Sequence, residues 1–425
     1  MEILYNIIIH LYTFAIHIAS PFNSKAKLWI DGRKNIFQKL NLELKNSELR
    51  TQNLPSGQVG SELIWFHCAS LGEFEQGRPL IEKIKKQEPA TKILLTFFSP
   101  SGFEIRKEYG GVDYVFYLPM DTPSNAQQFV ALVKPKAVFF VKYEFWFNYL
   151  MELKKVEIPT YLVSGIFRED HYFSKWYGTW FKRQLNCFTH FYLQDGQSEQ
   201  LLKYMGYANT TVTGDTRFDR VFEISKNIKQ VDIVKQFVTD NKVIIAGSTW
   251  EEDEKLLAAL KDFTTLNFKL IIAPHEIDEK HILSIIERFN STIVIRYSEA
   301  GQKDISNADV LIVDNIGILS SIYQYGTIAF IGGGFGKGIH NILEPATFGL
   351  PVIFGPNYDK FAEAVELINI GGAFTVSSVD ELKKTIDLLN QPEVIKMASF
   401  TAKNYVSSRI GATDKVLRSI FKDRL

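Results

Sequence analysis

A glycine-rich turn between two short apolar segments, within residues 327–356, constrains the fold of this chain more than any other feature. Residues 327–331 form a β-branched and aromatic run, and five of the next seven residues are glycine. A short helix is expected from about Asn341 to Gly349, and an apolar strand follows at residues 350–354. This order of strand, glycine turn, helix and strand predicts a nucleotide-binding crossover in a parallel sheet.

The chemistry of this turn suits a phosphate and a sugar. Glycines adopt positive φ and let a ligand approach bare backbone amides, and a helix start adds unpaired N–H groups. Glu344 follows the turn, where its carboxylate can accept two hydrogen bonds from the vicinal hydroxyls of a ribose. Pro345 is tolerated in the first helical turn. The alternative is a tight turn with a capping acid, because glycine patterns alone are weak evidence.

Alternation of strand-like and helix-like segments extends this architecture to the whole chain. Apolar strands are predicted at residues 63–66, 92–97, 113–117, 137–141, 242–246, 270–273, 310–313 and 373–376. Such a βα rhythm is typical of parallel sheets covered by helices on both faces. The new series that begins at residue 242 predicts a second domain of the same kind.

Composition excludes several classes of function. The 425 residues include 48 Lys and Arg against 48 Asp and Glu, so no net field would attract a nucleic-acid polymer, and none is expected as a partner. The only cysteines are Cys68 and Cys187, which speaks against a disulfide framework and a zinc site and fits a reducing compartment.

The N-terminal residues 3–21 are almost uncharged and about long enough to cross a bilayer. Their hydrophobicity is reduced by the polar residues Asn6, His10, Thr13 and His17. A spanning or monotopic anchor is favoured over a cleaved signal and over a buried helix. The basic residues that follow are Lys25, Lys27, Arg33 and Lys34. By the positive-inside rule, they predict that the rest of the chain stays in the cytoplasm.

Residues 332–356 as a whole resemble the donor-site signature of bacterial 3-deoxy-D-manno-octulosonic acid (Kdo) transferases. These are membrane-associated glycosyltransferases with two Rossmann-like α/β domains facing across a cleft, the GT-B fold. Further motifs occur in the same order as in the family, namely 72–73 (Gly-Glu), 214–219 (GDTRFD), 247–249 (Gly-Ser-Thr) and 338–345 (GIHNILEP). The resemblance therefore covers nearly the whole chain and implies the GT-B fold with an N-terminal hydrophobic anchor helix.

Residues 67–74 are similar to the family loop whose glutamate deprotonates the acceptor hydroxyl, so the resemblance gives Glu73 the role of general base. Without the resemblance, an acid at this position would be interpreted as a helix N-terminal residue that complements the helix dipole. A helix start lowers the pKa of a carboxyl group and weakens it as a base, so Glu73 would need burial or a nearby acid. Glu75 is the closest acid in sequence, but two residues further along a helix it points elsewhere.

Two more catalytic candidates come from the resemblance. Glu144 matches the family, although Lys142 stands where the family usually has a second acid and Phe147 where it has proline. Arg217 replaces a family lysine and would, with Lys337, offset charge on a phosphate or a sugar carboxylate.

The donor-binding set implied by the resemblance follows the strands of the second half. It comprises Ser248, Thr249, Pro274, His275, Ile316, Gly317, Ile318, Gly333, Gly334, Gly338, His340, Asn341, Ile342, Leu343 and Glu344. The chain departs from the family at two of these places, because no arginine stands beside His275 and Ile318 replaces an acid.

Residues 167–185 carry a stripe of aromatic residues at helical spacing, namely Tyr172, Trp176, Tyr177, Trp180 and Phe181. Such a stripe is more often part of a core, and the alternative is a surface that lies at the lipid headgroups.

The expected domains are an anchor at residues 1–22, an acceptor domain at 23–215, a CMP-sugar donor domain at 216–395 and a terminal helix at 396–425 that crosses back to the first domain. The implied reaction is inverting transfer of Kdo from CMP-Kdo to a lipid A precursor, lipid IVA, in lipopolysaccharide core biosynthesis. The expected place is the cytoplasmic face of the inner membrane, with membrane lipids as partners. No cofactor and no metal is expected, since there is no Asp-x-Asp motif.

Two alternatives remain open at this point. One is another GT-B sugar-nucleotide enzyme, a UDP-N-acetylhexosamine transferase or a 2-epimerase. The other is a non-catalytic, membrane-tethered nucleotide-binding protein.

Overall fold

A computed structural model describes residues 1–52, 62–168, 178–260, 267–302 and 304–421. The chain divides into two compact units. The first domain comprises Met1–Arg220 and Gly411–Leu425, and the second comprises Val221–Ile410.

Fourteen strands are found in the described residues: β1 Leu63–Cys68, β2 Lys92–Phe97, β3 Tyr114–Tyr117, β4 Ala137–Val141, β5 Thr160–Gly165, β6 His190–Leu193, β7 Thr210–Val212, β8 Lys242–Thr249, β9 Phe268–Pro274, β10 Val294–Arg296, β11 Val310–Ile312, β12 Ile328–Ile331, β13 Val352–Phe354 and β14 Ala373–Thr375.

The α-helices of the described residues are α1 Glu2–Ala19, α2 Ser24–Arg33, α3 Ile36–Gln52, α4 Leu71–Gln87, α5 Pro100–Arg106, α6 Pro123–Val133, α7 Phe147–Lys155, α8 Gly178–Leu185, α9 Gly196–Tyr204, α10 Thr216–Lys226, α11 Asp232–Val238, α12 Glu251–Ala259, α13 Glu279–Arg288, α14 Leu319–Ile322, α15 Leu343–Thr347, α16 Ala362–Asn369, α17 Val379–Leu389, α18 Pro392–Ser407 and α19 Ala412–Ile420. Short 3₁₀ turns occupy Tyr297–Gln302 and Tyr323–Tyr325.

The first domain is built on a seven-stranded sheet in the order β3-β2-β1-β4-β5-β6-β7. Its paired strands run parallel, with Trp65 of β1 opposite Leu94 of β2 and Val138 of β4. Side chains alternate between two buried clusters, so Trp65 packs on one face and Phe66 on the other. Burial on both faces explains why these strands read as continuous apolar runs.

The second domain repeats this architecture with the strand order β10-β11-β9-β8-β12-β13-β14, again with parallel pairing. Its core includes Ile244, Phe330 and Ile353, all nearly inaccessible to solvent. Two Rossmann-like domains are thereby confirmed. Helix α15 is shorter than the sequence predicted, because it begins at Leu343 rather than near Asn341.

The C-terminal helix α19 belongs to the first domain, whereas α18 belongs to the second. Asp219 in α10 holds the start of α19: its carboxylate accepts hydrogen bonds from the backbone N–H of Gly411 (2.5 Å) and Thr413 (2.6 Å) and from the Thr413 hydroxyl (2.7 Å). The first domain thus ends at Arg220, five residues beyond the expected limit, and the returning segment starts at Gly411 rather than at residue 396.

Helix α1 packs along one side on the first domain and leaves the other side exposed. The Tyr5 hydroxyl donates to Asp121 Oδ2 (2.5 Å), and Ile9 is buried. The exposed apolar residues of this helix are Ile3, Leu4, Ile7, Ile8, Leu11, Phe14 and Ile18. Among the described residues, α1 is the one helix long and apolar enough to cross a membrane, a statement about its length and composition only.

Only part of the aromatic stripe falls within the described residues. Tyr172, Trp176 and Tyr177 lie outside them. Trp180 of α8 is buried, with its ring 5.0 Å from the Phe147 ring and 5.3 Å from the Tyr5 ring between centroids. This part of the stripe is therefore core.

Candidate functional site

In the first domain, the two candidate catalytic acids flank the point where the sheet reverses its strand order. Glu73 follows β1 and Glu144 follows β4, which are neighbours at the centre of the sheet. The connections after these two strands diverge, and ligands of open α/β sheets bind in the crevice formed there.

Glu73 occupies the third position of α4, where it forms a capping box with Ser70. Its Oε2 accepts a hydrogen bond from the Ser70 backbone N–H (2.9 Å). Burial and the negative charge of Glu144 raise the pKa of Glu73 from 4.5 to about 7, although the Ser70 hydrogen bond and Lys142 oppose this shift. A carboxyl group with this pKa is well suited to take up a proton near neutral pH.

The acid that offsets the helix start is thus Glu144, 71 positions away in sequence, and not Glu75. Glu75 instead pairs with Arg106 at 2.9 Å and with Arg220 at 3.4 Å. Its orientation agrees with the expectation that it points away from Glu73.

Glu144 is largely buried, and its carboxylate takes part in a network of hydrogen bonds with nearby side chains. Its Oε2 accepts a hydrogen bond from Trp146 Nε1 (2.5 Å) and lies 3.2 Å from His67 Nε2. The other ring nitrogen of His67 lies 2.9 Å from the hydroxyl of Thr96. This network fixes the Glu144 carboxylate, and His67 belongs to the site although sequence reasoning gave it no role.

Arg217 lies in the first domain, at the start of α10, and is held by its own neighbour. Its Nε donates to Asp215 Oδ2 at 2.7 Å, and its backbone N–H donates to Asp215 Oδ1 at 2.9 Å. The predicted phosphate-facing cation is therefore ion-paired within the GDTRFD motif.

In the second domain, the glycine turn follows β12, beside the loop after β8, again where the strand order reverses. A Cβ on Gly332 would lie 2.3 Å from the Ser248 carbonyl oxygen, and a Cβ on Gly334 would lie 2.5 Å from the Gly355 nitrogen. Gly333 and Gly338 have φ of +92° and +131°. Close approach and positive φ both require glycine here.

An acid that sequence reasoning missed holds this turn in place. Asp253 in α12 accepts hydrogen bonds at Oδ2 from the backbone N–H of Gly333 and of Trp250, both at 2.8 Å. The available signal was its position three residues after Trp250, the N-cap of α12, which is typical of a capping box. Among the described residues, the backbone N–H groups of Gly334, Phe335 and Lys337 have no hydrogen-bond acceptor; Gly334 is buried, Phe335 is partly buried and Lys337 is exposed.

Beside the turn, three rings stack in a row. The ring of His275 lies 4.5 Å from those of Trp250 and His340 between centroids. The Trp250 Nε1 donates to His340 Nε2 at 2.9 Å. Burial and the neighbouring His275 lower the pKa of His340 to about 4, so this ring is neutral at pH 7. Because Nε2 accepts from an indole, its hydrogen resides on Nδ1.

Glu344 lies in the first turn of α15. Its Oε2 accepts from the Ser320 hydroxyl (2.7 Å) and its Oε1 from Asn341 Nδ2 (3.1 Å). These two bonds orient the Glu344 carboxylate.

The other predicted donor residues differ in burial and in backbone conformation. Ile342 and Leu343 are buried, so they can contact a ligand only through their backbone. Ser248, near the end of β8, and Gly317, in the loop after β11, have left-handed backbone with φ of +53° and +96°. Pro274 is the last residue of β9 and precedes His275. Gly317 lies between Ile316, which has 86% of its surface exposed, and Ile318. The hydroxyl of Thr249 is used within the domain, donating to Glu254 Oε1 (3.0 Å).

One group of potential metal ligands occurs in the described part of the chain, at Glu276, Asp278 and His281. Both ring nitrogens of His281 already have partners, since Nε2 lies 2.9 Å from Glu254 Oε2 and Nδ1 lies 2.9 Å from the Glu276 carbonyl oxygen. His281 thus connects the start of α13 to Glu254 of α12 and to the Glu276 backbone.

Comparison with known sequences points to one family. Residues 38–220 match the family described as 3-Deoxy-D-manno-octulosonic-acid transferase (kdotransferase). The chain is 30% identical over 342 residues to the 3-deoxy-D-manno-octulosonic acid transferase of Aquifex aeolicus, covering 79% of this chain and 88% of that protein. It is 26% identical over 369 residues to the enzyme of the same name from Haemophilus influenzae, covering 83% and 85%.

Solved structures share the fold. UDP-GlcNAc 2-epimerase from Neisseria meningitidis superimposes with a TM-score of 0.61 at 16% identity, covering 85% of this chain and all of that one. Acinetobacter baumannii MurG superimposes with a TM-score of 0.53 at 12% identity, covering 85% and 99%. At such identities the likeness concerns the fold alone.

Proposed function

Because this chain belongs to the 3-deoxy-D-manno-octulosonic acid transferase family, and so is a glycosyltransferase that transfers Kdo in lipopolysaccharide biosynthesis, we propose CMP-Kdo as its donor and the lipid A precursor lipid IVA as its acceptor. The observation that carries this proposal is the placement of Glu73 and Glu144 at the strand-order reversal of the first domain, where burial and the charge of Glu144 raise the pKa of Glu73 to about 7. Glu73 would thus be the base that deprotonates the acceptor hydroxyl.

In the proposed reaction, the acceptor oxygen attacks the anomeric carbon of Kdo while the bond from that carbon to the CMP phosphate oxygen breaks. Glu73 takes the hydroxyl proton, CMP leaves with the bonding electrons, and the anomeric configuration inverts. Glu144, held by Trp146 and His67, keeps the pKa of Glu73 high. Neither a metal nor a cofactor is required in this scheme.

The second domain would hold the CMP part of the donor. The unbonded backbone N–H groups of Phe335 and Lys337 in the turn suit its single phosphate, and they can stabilise charge as it develops on the leaving group. Glu344 is oriented to accept hydrogen bonds from ribose hydroxyls. The neutral His340 offers a further donor at Nδ1.

The exposed apolar row of α1 supports attachment to the cytoplasmic face of the inner membrane, where a lipid acceptor would be available. The opposite side of this helix is occupied by the first domain through Tyr5 and Ile9. Attachment by the exposed side alone would let the helix lie in the membrane surface.

The proposal is tested by incubating purified full-length protein with lipid IVA and CMP-Kdo and measuring added Kdo by mass spectrometry. Glu73→Gln is expected to reduce turnover by at least 10³-fold while CMP binding is retained, because it removes the base but keeps the shape. Glu152→Gln, which removes a carboxylate paired with Lys155 at the surface, is the control and should leave turnover unchanged.

A product formed from a UDP-sugar instead of CMP-Kdo would favour the rival sugar-nucleotide enzymes, whose fold this chain shares. Full turnover by Glu73→Gln would contradict the catalytic role of that residue.

A further inference from the structure

A cavity of about 590 Å³ opens in the first domain beside the N-terminal helix. It is bounded by α1, by α2 and the start of α3, and by the segment from Pro119 to Gln128. Its polar lining includes Arg33, Lys34 and Gln128, and no Asp or Glu is among its lining residues. A cavity with cations and amides but without acids is complementary to an anion.

Arg33 is one of the residues that line this cavity. Its guanidinium donates to the carbonyl oxygens of Leu118 (2.9 Å), Trp29 (3.1 Å) and Phe98 (2.8 Å). A guanidinium has five N–H donors, so two remain without an acceptor in the described part of the chain. The Arg33 side chain also stacks over the rings of Trp29, at 3.9 Å, and Tyr117, at 4.7 Å.

This charge has no counter-ion in the described residues, where no carboxylate lies within ion-pair distance of Arg33. Burial lowers the pKa of Arg33 to about 9, which reflects the cost of an uncompensated charge. The Nε1 of Trp29, also in the cavity lining, is buried and lacks an acceptor among the described residues. Lys34 is different, since it pairs with Asp31 at 2.7 Å.

The surroundings of the cavity indicate which anion would enter. Thr13 and His17 of α1 line the cavity, while the neighbouring Phe14 and Ile18 are exposed apolar residues on the same helix. An amphipathic molecule could therefore place its charged head at Arg33 and its hydrocarbon chains along α1. Arg is well suited to phosphate because its planar fork can donate two parallel hydrogen bonds.

We propose, on the basis of the membrane attachment of α1 proposed above, that this cavity binds the phosphate headgroup of an anionic glycerophospholipid of that membrane. The bound headgroup would neutralise Arg33 and accept its two remaining N–H groups. Lipid binding at this site is separate from sugar transfer, so it is measured without donor or acceptor substrates.

The experiment titrates the full-length protein, in an uncharged detergent, with dihexanoyl phosphatidylglycerol and follows tryptophan fluorescence, with bound lipid counted by native mass spectrometry. One tightly bound lipid is expected. Dihexanoyl phosphatidylcholine should bind at least tenfold more weakly because its headgroup has no net charge. Inorganic phosphate at the same concentration should not compete, because it lacks the chains that contact α1.

Arg33→Met keeps the apolar stem against Trp29 and Tyr117, and it should weaken phosphatidylglycerol binding at least tenfold. Lys27→Met removes a charge from the same helix, α2, outside the cavity lining, and should change binding less than twofold. If Arg33→Met fails to fold, Gln128→Leu in the cavity lining serves instead and should weaken binding severalfold.

The proposal is overturned if Lys27→Met weakens binding as much as Arg33→Met, since the attraction would then be diffuse surface charge. It is also overturned if phosphatidylcholine binds equally well, if inorganic phosphate competes fully, or if Gln128→Leu has no effect.

Discussion

At the scale of single residues, the site of the first domain depends on two carboxyl groups placed by different strands. Glu73 alone, at a helix start, would be a weak base, because the helix end and the Ser70 hydrogen bond both lower its pKa. Burial and Glu144 reverse the direction of the shift. The chemistry of one residue is thus determined by another 71 positions away.

The pH dependence of kcat/KM tests this relation. In the proposed reaction the ionised form of Glu73 accepts the proton, so activity should rise with pH through about 7 and then level off. Glu144→Gln removes the like charge and should move the rise to lower pH by about 1 unit. A rise that stays in place in Glu144→Gln would show that Glu73 is not the group observed.

The free energy of unfolding should also depend on the ionisation of Glu73, but it should fall over the pH range in which activity rises. Folded Glu73 holds its proton up to about pH 7, whereas the unfolded residue loses it near 4.5, so this residue contributes a loss of stability as pH rises through that interval. Glu73→Gln should therefore be more stable than the parent at pH 8, by roughly 1–3 kcal/mol, and about equal at pH 4. Urea unfolding at both pH values measures this difference, with Glu152→Gln as the control that should show none.

At the scale of elements, the glycine turn after β12 is shaped by close backbone contacts as much as by φ. Gly332 lies against backbone atoms at the end of β8 and Gly334 against those of the residue after β13, while Asp253 connects the turn to α12. Several backbone N–H groups are consumed inside the turn, for example that of Gly338, which donates to the Gly333 carbonyl (3.2 Å). Only some of its N–H groups are therefore left for a phosphate.

Two alanine substitutions in this turn compare a glycine that is packed closely against backbone with one that is not. Gly332→Ala would bring a Cβ to 2.3 Å from the Ser248 carbonyl oxygen and should destabilise the protein by about 2–4 kcal/mol, with loss of CMP binding. Gly336→Ala would meet nothing closer than 3.7 Å and should cost less than about 1 kcal/mol. Urea unfolding and CMP titration report both, and equal effects of the two changes would contradict the close-packing argument.

At the scale of the whole molecule, the chain leaves the first domain at Arg220 and re-enters it at Gly411, so that both chain ends belong to one compact unit. Asp219 is the residue that fastens the returning segment, through three hydrogen bonds to Gly411 and Thr413. Tyr192 adds a hydrogen bond to Ser419 at 3.0 Å. The second domain is thus an insertion between two parts of the first.

Removal of the Asp219 carboxylate should loosen α19. Asp219→Ala leaves two N–H groups and one hydroxyl unpaired, and it should reduce the free energy of unfolding by about 2–4 kcal/mol. Hydrogen exchange should show faster exchange in α19, while α18 of the second domain keeps its protection. Uniform acceleration over the whole chain would contradict a local role.

The central strands and the glycine turn could be predicted from the sequence because their signals are local. Continuous apolar runs such as β4 identify strands buried on both faces, and five glycines in seven residues identify the turn. Strands β5, β6, β7 and β10 were not predicted from the sequence, and three of them have only three or four residues. Short edge strands derive their structure from pairing rather than from pattern.

The sequence by itself determined the two parallel α/β domains, the apolar N-terminal helix and the family motifs that single out Glu73, Glu144 and Glu344. Tertiary structure alone decided which groups act on one another. It joined Glu144 with Glu73 and His67, and Asp253 with the glycine turn. The physical reason is that burial and electrostatic interactions depend on distance in space, whereas sequence motifs record only the order of residues along the chain.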